Sequence, residues 1–226
     1  MKTGQKTHLK IDPNALVDMS ADEGALLYRI ELAYARDDNL LFEQQIYRVD
    51  AHLWLHQDLA AIVISAARDL SNKGYRLVLY DGLRTVDAQE RMLTTQKVRD
   101  NPNWLEKPRL LSPPGAGAHP RGMAIDVSIE TLDGTLLNMG TAFDFLSADP
   151  SPHGNPAHRE YINLSDEVRA NRAILDTAMK NASESLSIPL WSLPQEWWDF
   201  RLPEDISDKY APLRDADLPP AMRMVS

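Results

Sequence analysis

Met123-Ala124-Ile125-Asp126-Val127-Ser128-Ile129-Glu130 alternates large apolar residues with small or charged ones at strict period two. Met123, Ile125, Val127 and Ile129 share one face of an extended chain, and Ala124, Asp126, Ser128 and Glu130 share the other. The pattern predicts a strand with one buried face, leaving Asp126 free to look into a cleft. His119 lies seven residues upstream, with Gly122 between them. A histidine and an aspartate so placed can offer an imidazole nitrogen and a carboxylate oxygen to one cation. Taken alone, the two read better as a structural hydrogen-bonded pair.

Outward from this strand, Thr131 to Thr135 carries Asp133-Gly134, a hairpin turn into Leu136–Met139. Upstream, Leu55, Leu59, Ile62, Val63, Ala66 and Leu70 fall at helical spacing, and Gly74 stands where a C-terminal cap belongs. Tyr75 to Tyr80 is expected as a strand, and Thr85 as the start of a helix through about Val98. Asn101 to Pro114 is expected as loop, since Pro102, Pro108, Pro113 and Pro114, with Pro120 nearby, interrupt it. Ile30 to Tyr34 and Leu40 to Tyr47 look extended, around a turn at Asp37-Asp38-Asn39. Ser165 caps a predicted helix to about Ser183, with Asp166 and Glu167 in its first turn as the helix dipole favours. Parts of Leu190 to Leu202 form a last strand. Helices and strands without a βαβ rhythm indicate a single α+β domain, a mainly antiparallel sheet with helices packed on one side. Residues 1–25 read as a polar lead-in, 26–205 as the domain, and 206–226 as a Pro-rich tail over the surface.

Composition narrows the functions. The 226 residues carry 33 acidic against 24 basic side chains, a net charge of −9, which argues against nucleic acid or an anionic membrane as partner. With no cysteine, neither a disulfide framework nor a thiolate zinc site is possible, so any metal rests on His and carboxylate. The N-terminal lysines precede no apolar stretch, and the longest apolar run, Leu59 to Ala67, is far short of a membrane span. A cytoplasmic location is the expectation, or a periplasmic one if a signal peptide has been removed. A monomer or homodimer fits equally.

Near the C-terminus, Glu196-Trp-Trp-Asp199 supplies a possible general base and a further ligand. Arg84, in Tyr80-Asp-Gly-Leu-Arg84, follows a strand-like segment. Metal, base and cation together are the parts of a metal-assisted hydrolase.

These motifs resemble the zinc D-alanyl-D-alanine dipeptidases, the VanX-type branch of a peptidase family that also holds D,D-carboxypeptidases. The family patterns Ser-x-His-x-x-Gly-x-Ala-x-Asp and Glu-x-x-His correspond to Gly117-Ala-His119-Pro-Arg-Gly122-Met-Ala124-Ile-Asp126 and Glu196-Trp-Trp-Asp199. The likeness extends to Tyr80–Arg84, to Met139-Gly-Thr-Ala-Phe-Asp144 and, more loosely, to Tyr34-Ala-Arg-Asp-Asp-Asn39. It spans roughly residues 30 to 202 with order and spacing kept. The resemblance implies a D-Ala-D-Ala peptidase (hedgehog-like) fold and one Zn²⁺ held by His119, Asp126 and Asp199. It implies that Glu196 takes a proton from the attacking water and passes it to the leaving amine. Arg84 would steady the oxyanion, and Asp144, with Tyr34, would hold the substrate ammonium. The implied substrate is D-Ala-D-Ala or a related small D-amino-acid dipeptide, in peptidoglycan precursor turnover. A D,D-carboxypeptidase or endopeptidase on longer cell-wall peptides, and a binder of such peptides without turnover, are the alternatives.

Two positions depart from the pattern. Gly117 stands where the family has serine, and Asp199 where it has its third ligand, a histidine. Replacing a neutral imidazole by an anion takes the formal charge of a divalent site from +1 to zero. A slower enzyme or a higher pH optimum is then expected, and Mn²⁺ or Fe²⁺ would suit the set better than it suits an all-imidazole one. The substitution equally fits lost metal binding. Glu196 and Asp199, three apart, would face opposite ways in a regular strand, so they converge only if the chain turns or bulges there. Trp197 and Trp198 are expected as core and cleft wall. His52, His56, His153 and His158 are expected at the surface.

Overall fold

The computed structural model describes residues 8–20, 27–107 and 109–226, so of the expected lead-in, residues 1–7 and 21–25 lie outside the described residues. Its centre is a five-stranded mixed sheet, ordered β2 (Tyr28–Ile30), β4 (Tyr75–Asp81), β5 (Ala124–Thr131), β7 (Asp199–Arg201) and β6 (Trp191–Ser192). Within this sheet β2 and β4 pair in parallel and the other neighbours antiparallel. A separate pair joins β1 (Leu16–Asp18) to β3 (Trp54–His56) antiparallel. The chain is α+β, as its patterning indicates.

The central strand forms where period two predicts it. Ile125, Val127 and Ile129 on β5 and Leu77 and Leu79 on β4 are wholly buried, in one core with the apolar stripe of helix α1 (Gln57–Asn72). Helix α1 buries Leu59, Ile62, Val63, Ala66 and Leu70, packs on β4, and ends ahead of Gly74, whose φ of +85° suits glycine. Helix α4 (Asp166–Leu186) lies against α1 with Val168, Leu175, Met179 and Ala182 buried, and the Ser165 hydroxyl caps it.

Several expectations fail for local reasons. Residues 8–20 are not a loose lead-in: β1 pairs with β3, and Ile11, Leu16 and Met19 enter the core. The extended pieces expected at Ile30–Tyr34 and Leu40–Tyr47 reduce to β2 and a 3-10 turn at Ala33–Ala35. There the Asn39 side chain bonds the carbonyls of Arg36 and Gln44 and the amide of Phe42, satisfying the backbone without a neighbouring strand. The helix expected from Thr85 to Val98 is two, α2 (Val86–Leu93) and α3 (Gln96–Asp100), because the Thr95 hydroxyl caps a new start. Leu136–Met139 makes one bridge, Leu136 to Glu130, rather than a full hairpin arm. The tail adds helix α5 (Glu204–Ser207) and buries Leu213, Leu218, Met222 and Met224. Its end is tied to Asp215, which accepts from Thr85 and from the amides of Met224, Val225 and Ser226.

On the sheet face away from α1, Glu130 accepts from Arg76 on β4 at 2.6 Å and from Arg29 on β2 at 2.8 Å, clamping three strands. Its carboxylate is fully buried, and although burial opposes ionisation, the two guanidiniums hold its pKa below the ordinary value. This stabilisation is present above the usual glutamate range and is lost as pH falls through the lowered pKa. Because the arginines reach water, Glu130→Ala is expected to cost about 2 kcal/mol, below the ~3–5 kcal/mol of a fully buried pair. Denaturant unfolding at neutral pH checks this, and a loss under about 0.5 kcal/mol would contradict it.

Candidate metal centre

The site forms along one row across the sheet. Asp126 on β5 is directly opposite Asp199 on β7, and on its other side opposite Asp81 on β4. Asp81 reaches that row because the β4–β5 register slips between Leu79 and Asp81, a bulge that turns Asp81 onto the face of Asp126. All three are buried. Directly opposed like charges are unfavourable in a sheet, so the row requires nearby cations.

Two arginines supply them. Arg84 donates from Nε to Asp81 Oδ2 at 2.8 Å, and its Nη2 lies 3.4 Å from Asp126 Oδ2. Arg201, two residues along β7 from Asp199 and on the same face, grips Asp199 through both Nε and Nη2. Tyr47 donates to the other oxygen of Asp81 at 2.7 Å. Three carboxylates thus face two guanidiniums, leaving one negative charge toward His119.

His119 opens a 3-10 turn, His119–Arg121, that ends at Gly122 with φ +63°. A Cβ at Gly122 would meet Leu16 Cδ2 at 3.0 Å and His56 N at 3.2 Å, so glycine is needed both for the turn into β5 and for the packing. The His119 Nδ1 is 2.8 Å from the Gly82 carbonyl, which can only accept, so Nδ1 is the protonated nitrogen and Nε2 points inward. Nε2 lies 3.6 Å from Asp126 Oδ1 and 3.4 Å from Asp199 Oδ2. Ligand atoms about 2.1 Å from one tetrahedral ion stand about 3.4 Å apart. Asp126 Oδ1 is buried without a hydrogen-bond partner, an orphan that a cation would satisfy.

By distance alone the compact trio is Asp81, His119 and Asp126, with ligand atoms within 4.8 Å of one another. Asp199 stands outside it. Both carboxylates are engaged, Asp81 by Tyr47 and Arg84 and Asp199 by Arg201, but we favour Asp199 as the third ligand because its Oδ2 lies 3.4 Å from His119 Nε2, whereas Asp81 approaches the protonated Nδ1. Asp81 is better placed to orient His119 and Arg84.

Electrostatics agree with a cation seat. Burial and Arg84 both oppose a charge on His119, yet Asp126 and Asp199 lift its pKa to about 10. Burial also disfavours ionised Asp199, but Arg201 and His119 hold its pKa well below the usual carboxylate range. The charge deficit expected from aspartate at position 199 is therefore offset by Arg201.

Glu196 is not on the strand with Asp199. The chain turns through 193–198, with Glu196 N donating to Leu193 O and Asp199 N to Glu196 O, so both side chains reach one cavity. Burial, then Asp199 and Asp126, raise Glu196 to about 7, and it makes no side-chain hydrogen bond among the described residues. The cavity is about 200 Å³ and is lined by Tyr34, Arg84, His119, Asp126, Asp144, Glu196, Asp199 and Arg201, with Trp198 in its wall. Tyr34 donates to both oxygens of Asp144, at 3.0 and 2.9 Å. Asp144 has a φ of +61°, a costly backbone for aspartate that a functional position can retain. Burial and Asp126 push its pKa well up.

All seven residues singled out from sequence thus meet in one cavity. Asp81 and Arg201 were missed. The Asp-Gly turn before Arg84 signalled the first, and period-two spacing from Asp199 signalled the second. Two histidines are not at the surface: His56 is buried as the cap of α1, and His158 is buried with Nδ1 accepting from Glu160 N. His52 and His153 are exposed.

A buried imidazole and carboxylates around a small cleft, beside an unpaired glutamate, make this a candidate metallohydrolase site. The chain belongs to the D-ala-D-ala dipeptidase family, whose pattern matches residues 14–214. It is similar to the D-alanyl-D-alanine dipeptidase of Escherichia coli (strain K12), at 27% identity over 197 residues, 87% of this chain and 89% of that protein. It is also 27% identical over 163 residues to the D-alanyl-D-alanine dipeptidase of Enterococcus faecium, covering 66% of this chain and 72% of that protein. Among solved structures, the L-Ala D-Glu endopeptidase ChiX of Serratia marcescens aligns with a TM-score of 0.38 and 16% identity, over 67% of this chain and 83% of that one.

A metal must displace the proton that His119 holds up to about pH 10. Apparent Zn²⁺ affinity is therefore expected to climb roughly tenfold per pH unit between about pH 6 and 8, with about one proton released per ion. Calorimetry in buffers of different ionisation enthalpy checks this. An affinity flat with pH, with no proton released, would contradict the assignment of His119 Nε2.

Proposed function

We propose that this chain hydrolyses D-alanyl-D-alanine or a closely related D-amino-acid dipeptide, in peptidoglycan precursor turnover. The observation that carries the reading is the convergence of His119 Nε2, the orphaned Asp126 Oδ1 and Asp199 Oδ2 beside an unbonded Glu196. Family membership and the two relatives of that name support it. The 200 Å³ cavity, below the ~300 Å³ at which drug-sized sites begin, favours a small substrate.

His119, Asp126 and Asp199 would hold Zn²⁺, or Mn²⁺ or Fe²⁺ given two carboxylates, and the ion would polarise the scissile carbonyl and acidify water. Glu196, poised near neutral pH, takes the proton of the attacking water and returns it to the leaving amine. Arg84, locked by Asp81, keeps a permanent charge where the carbonyl oxygen becomes negative. Asp144, costly to ionise in its buried place, gains a partner in the substrate ammonium, and Tyr34 fixes its rotamer.

One observation favours a second reading. A recess of about 90 Å³, lined by Arg109, Phe145, Asn155 and Gln195, shares Leu110, Leu146 and Glu196 with the main cavity. A longer cell-wall peptide could run on into it, as a carboxypeptidase or endopeptidase requires. Assay of D-Ala-D-Ala against a pentapeptide stem separates the two, and the dipeptide is expected to be cleaved faster.

Glu196→Gln is expected to lower kcat by roughly 10²–10⁴ with metal content unchanged. A variant as active as the parent would remove Glu196 from the chemistry. Asp199→His tests whether the site is built around aspartate. It strands Arg201 unpaired beside the cation, so metal affinity is expected to drop at least about tenfold. A sharp gain in affinity and activity would instead mark this as a degenerate site that binds without turnover.

A further inference from the structure

The peptide-cleavage scheme leaves one cation of the cavity with an idle donor. Arg201 is fixed by its Nε and Nη2, both committed to Asp199, and its guanidinium lies 5.8 Å from the Trp191 ring centroid. Nη1 has no acceptor among the described residues. It faces Gly117, where an added Cβ would stand 4.0 Å from it, and both residues line the cavity that holds Glu196 and Asp126. The missing side chain at position 117 leaves the approach to Nη1 open.

The position of this donor matters as much as its freedom. Tyr34 follows β2 and grips Asp144, whereas Arg201 is on β7. Strands β4 and β5 lie between β2 and β7, a separation of about 14 Å at sheet spacing. Arg84 is on the Tyr34 side, 5.1 Å from that ring, with Nε and Nη2 committed to Asp81 and Asp126 and Nη1 left for the oxyanion of the proposed chemistry. The cleft is therefore polar end to end: an acid at one flank, a free guanidinium N–H at the other, and His119, Asp126 and Glu196 between. Such a charge pattern is complementary to a short zwitterion cleaved at its middle.

We propose that Arg201 is the specificity residue that anchors the substrate's terminal carboxylate through Nη1 over Gly117, while its other nitrogens hold Asp199. The inference rests on the dipeptidase reading and makes that site an exopeptidase one, selective for a free C-terminal carboxylate. A charge-assisted hydrogen bond of this kind corresponds to roughly 10- to 100-fold in discrimination.

The experiment compares D-alanyl-D-alanine with its C-terminal amide on metal-reconstituted protein. The wild type is expected to favour the acid by at least about tenfold in kcat/KM, chiefly through KM. Arg201→Met is expected to abolish that preference whatever damage it does to Asp199, since the acid-to-amide ratio cancels losses common to both peptides. Gly117→Asp leaves Arg201 in place, keeps a residue type that tolerates positive φ, and occupies Nη1 with a rival carboxylate. It too should lose the preference, which keeps the test decisive if Arg201→Met does not fold. Calorimetric binding of both peptides to Glu196→Gln protein, with and without Arg201→Met, reads the anchor without turnover. Should the wild type hydrolyse neither peptide, the peptidase assignment fails, yet an acid preference in binding that depends on Arg201 would uphold the anchor. An acid-to-amide ratio unchanged by Arg201→Met or by Gly117→Asp overturns it.

Discussion

Three aspartates on adjacent strands, Asp81, Asp126 and Asp199, stand opposite one another in a row that is closed to solvent. At about 5 Å and an effective dielectric of about 20, each neighbouring pair of charges repels by on the order of 3 kcal/mol. A fold does not accumulate that repulsion without compensation. Arg84 and Arg201 close the ends of the row, and His119 faces its middle. Much of the surrounding structure serves this arrangement. The bulge in β4 brings Asp81 into line, the Gly122 turn swings His119 over β5, and the turn at 193–198 starts β7 at Asp199 with Glu196 beside it. The residual negative charge at the centre is what makes the place suitable for a cation.

Aspartate where the family pattern has histidine looks, from residues alone, like a weakened site. The fold gives it a different meaning. Asp199 and Arg201 together are neutral, as an imidazole is, so with Asp199 as the proposed third ligand the overall charge around a divalent ion would match that of the family pattern. Neither residue can be interpreted without the other, and the pair became visible only once β7 placed both on one face.

The sequence was most legible where a single periodicity decided the outcome. Strand β5 and helix α1 follow from alternating and helical apolar spacing, since tertiary packing only reinforces that pattern. The site residues were legible through five motifs kept in order. The convergence of Glu196 and Asp199 was not, because a turn buried among Leu193, Trp197 and Trp198 leaves no periodic trace. Leu40–Tyr47 was misread because one side chain, Asn39, supplies the hydrogen bonds that a strand would otherwise provide. Residues 8–20 look dispensable by composition, yet Ile11, Leu16 and Met19 fill the core beside β3, a long-range pairing that no local window reveals.

The most direct measurement is anomalous diffraction at the zinc edge from crystals grown with Zn²⁺. A single peak is expected within bonding distance, about 2.0–2.2 Å, of His119 Nε2, Asp126 Oδ1 and Asp199 Oδ2, with Asp81 still bonded to Tyr47 and Arg84. A peak held by Asp81 without Asp199, or no peak in the row at all, would contradict it.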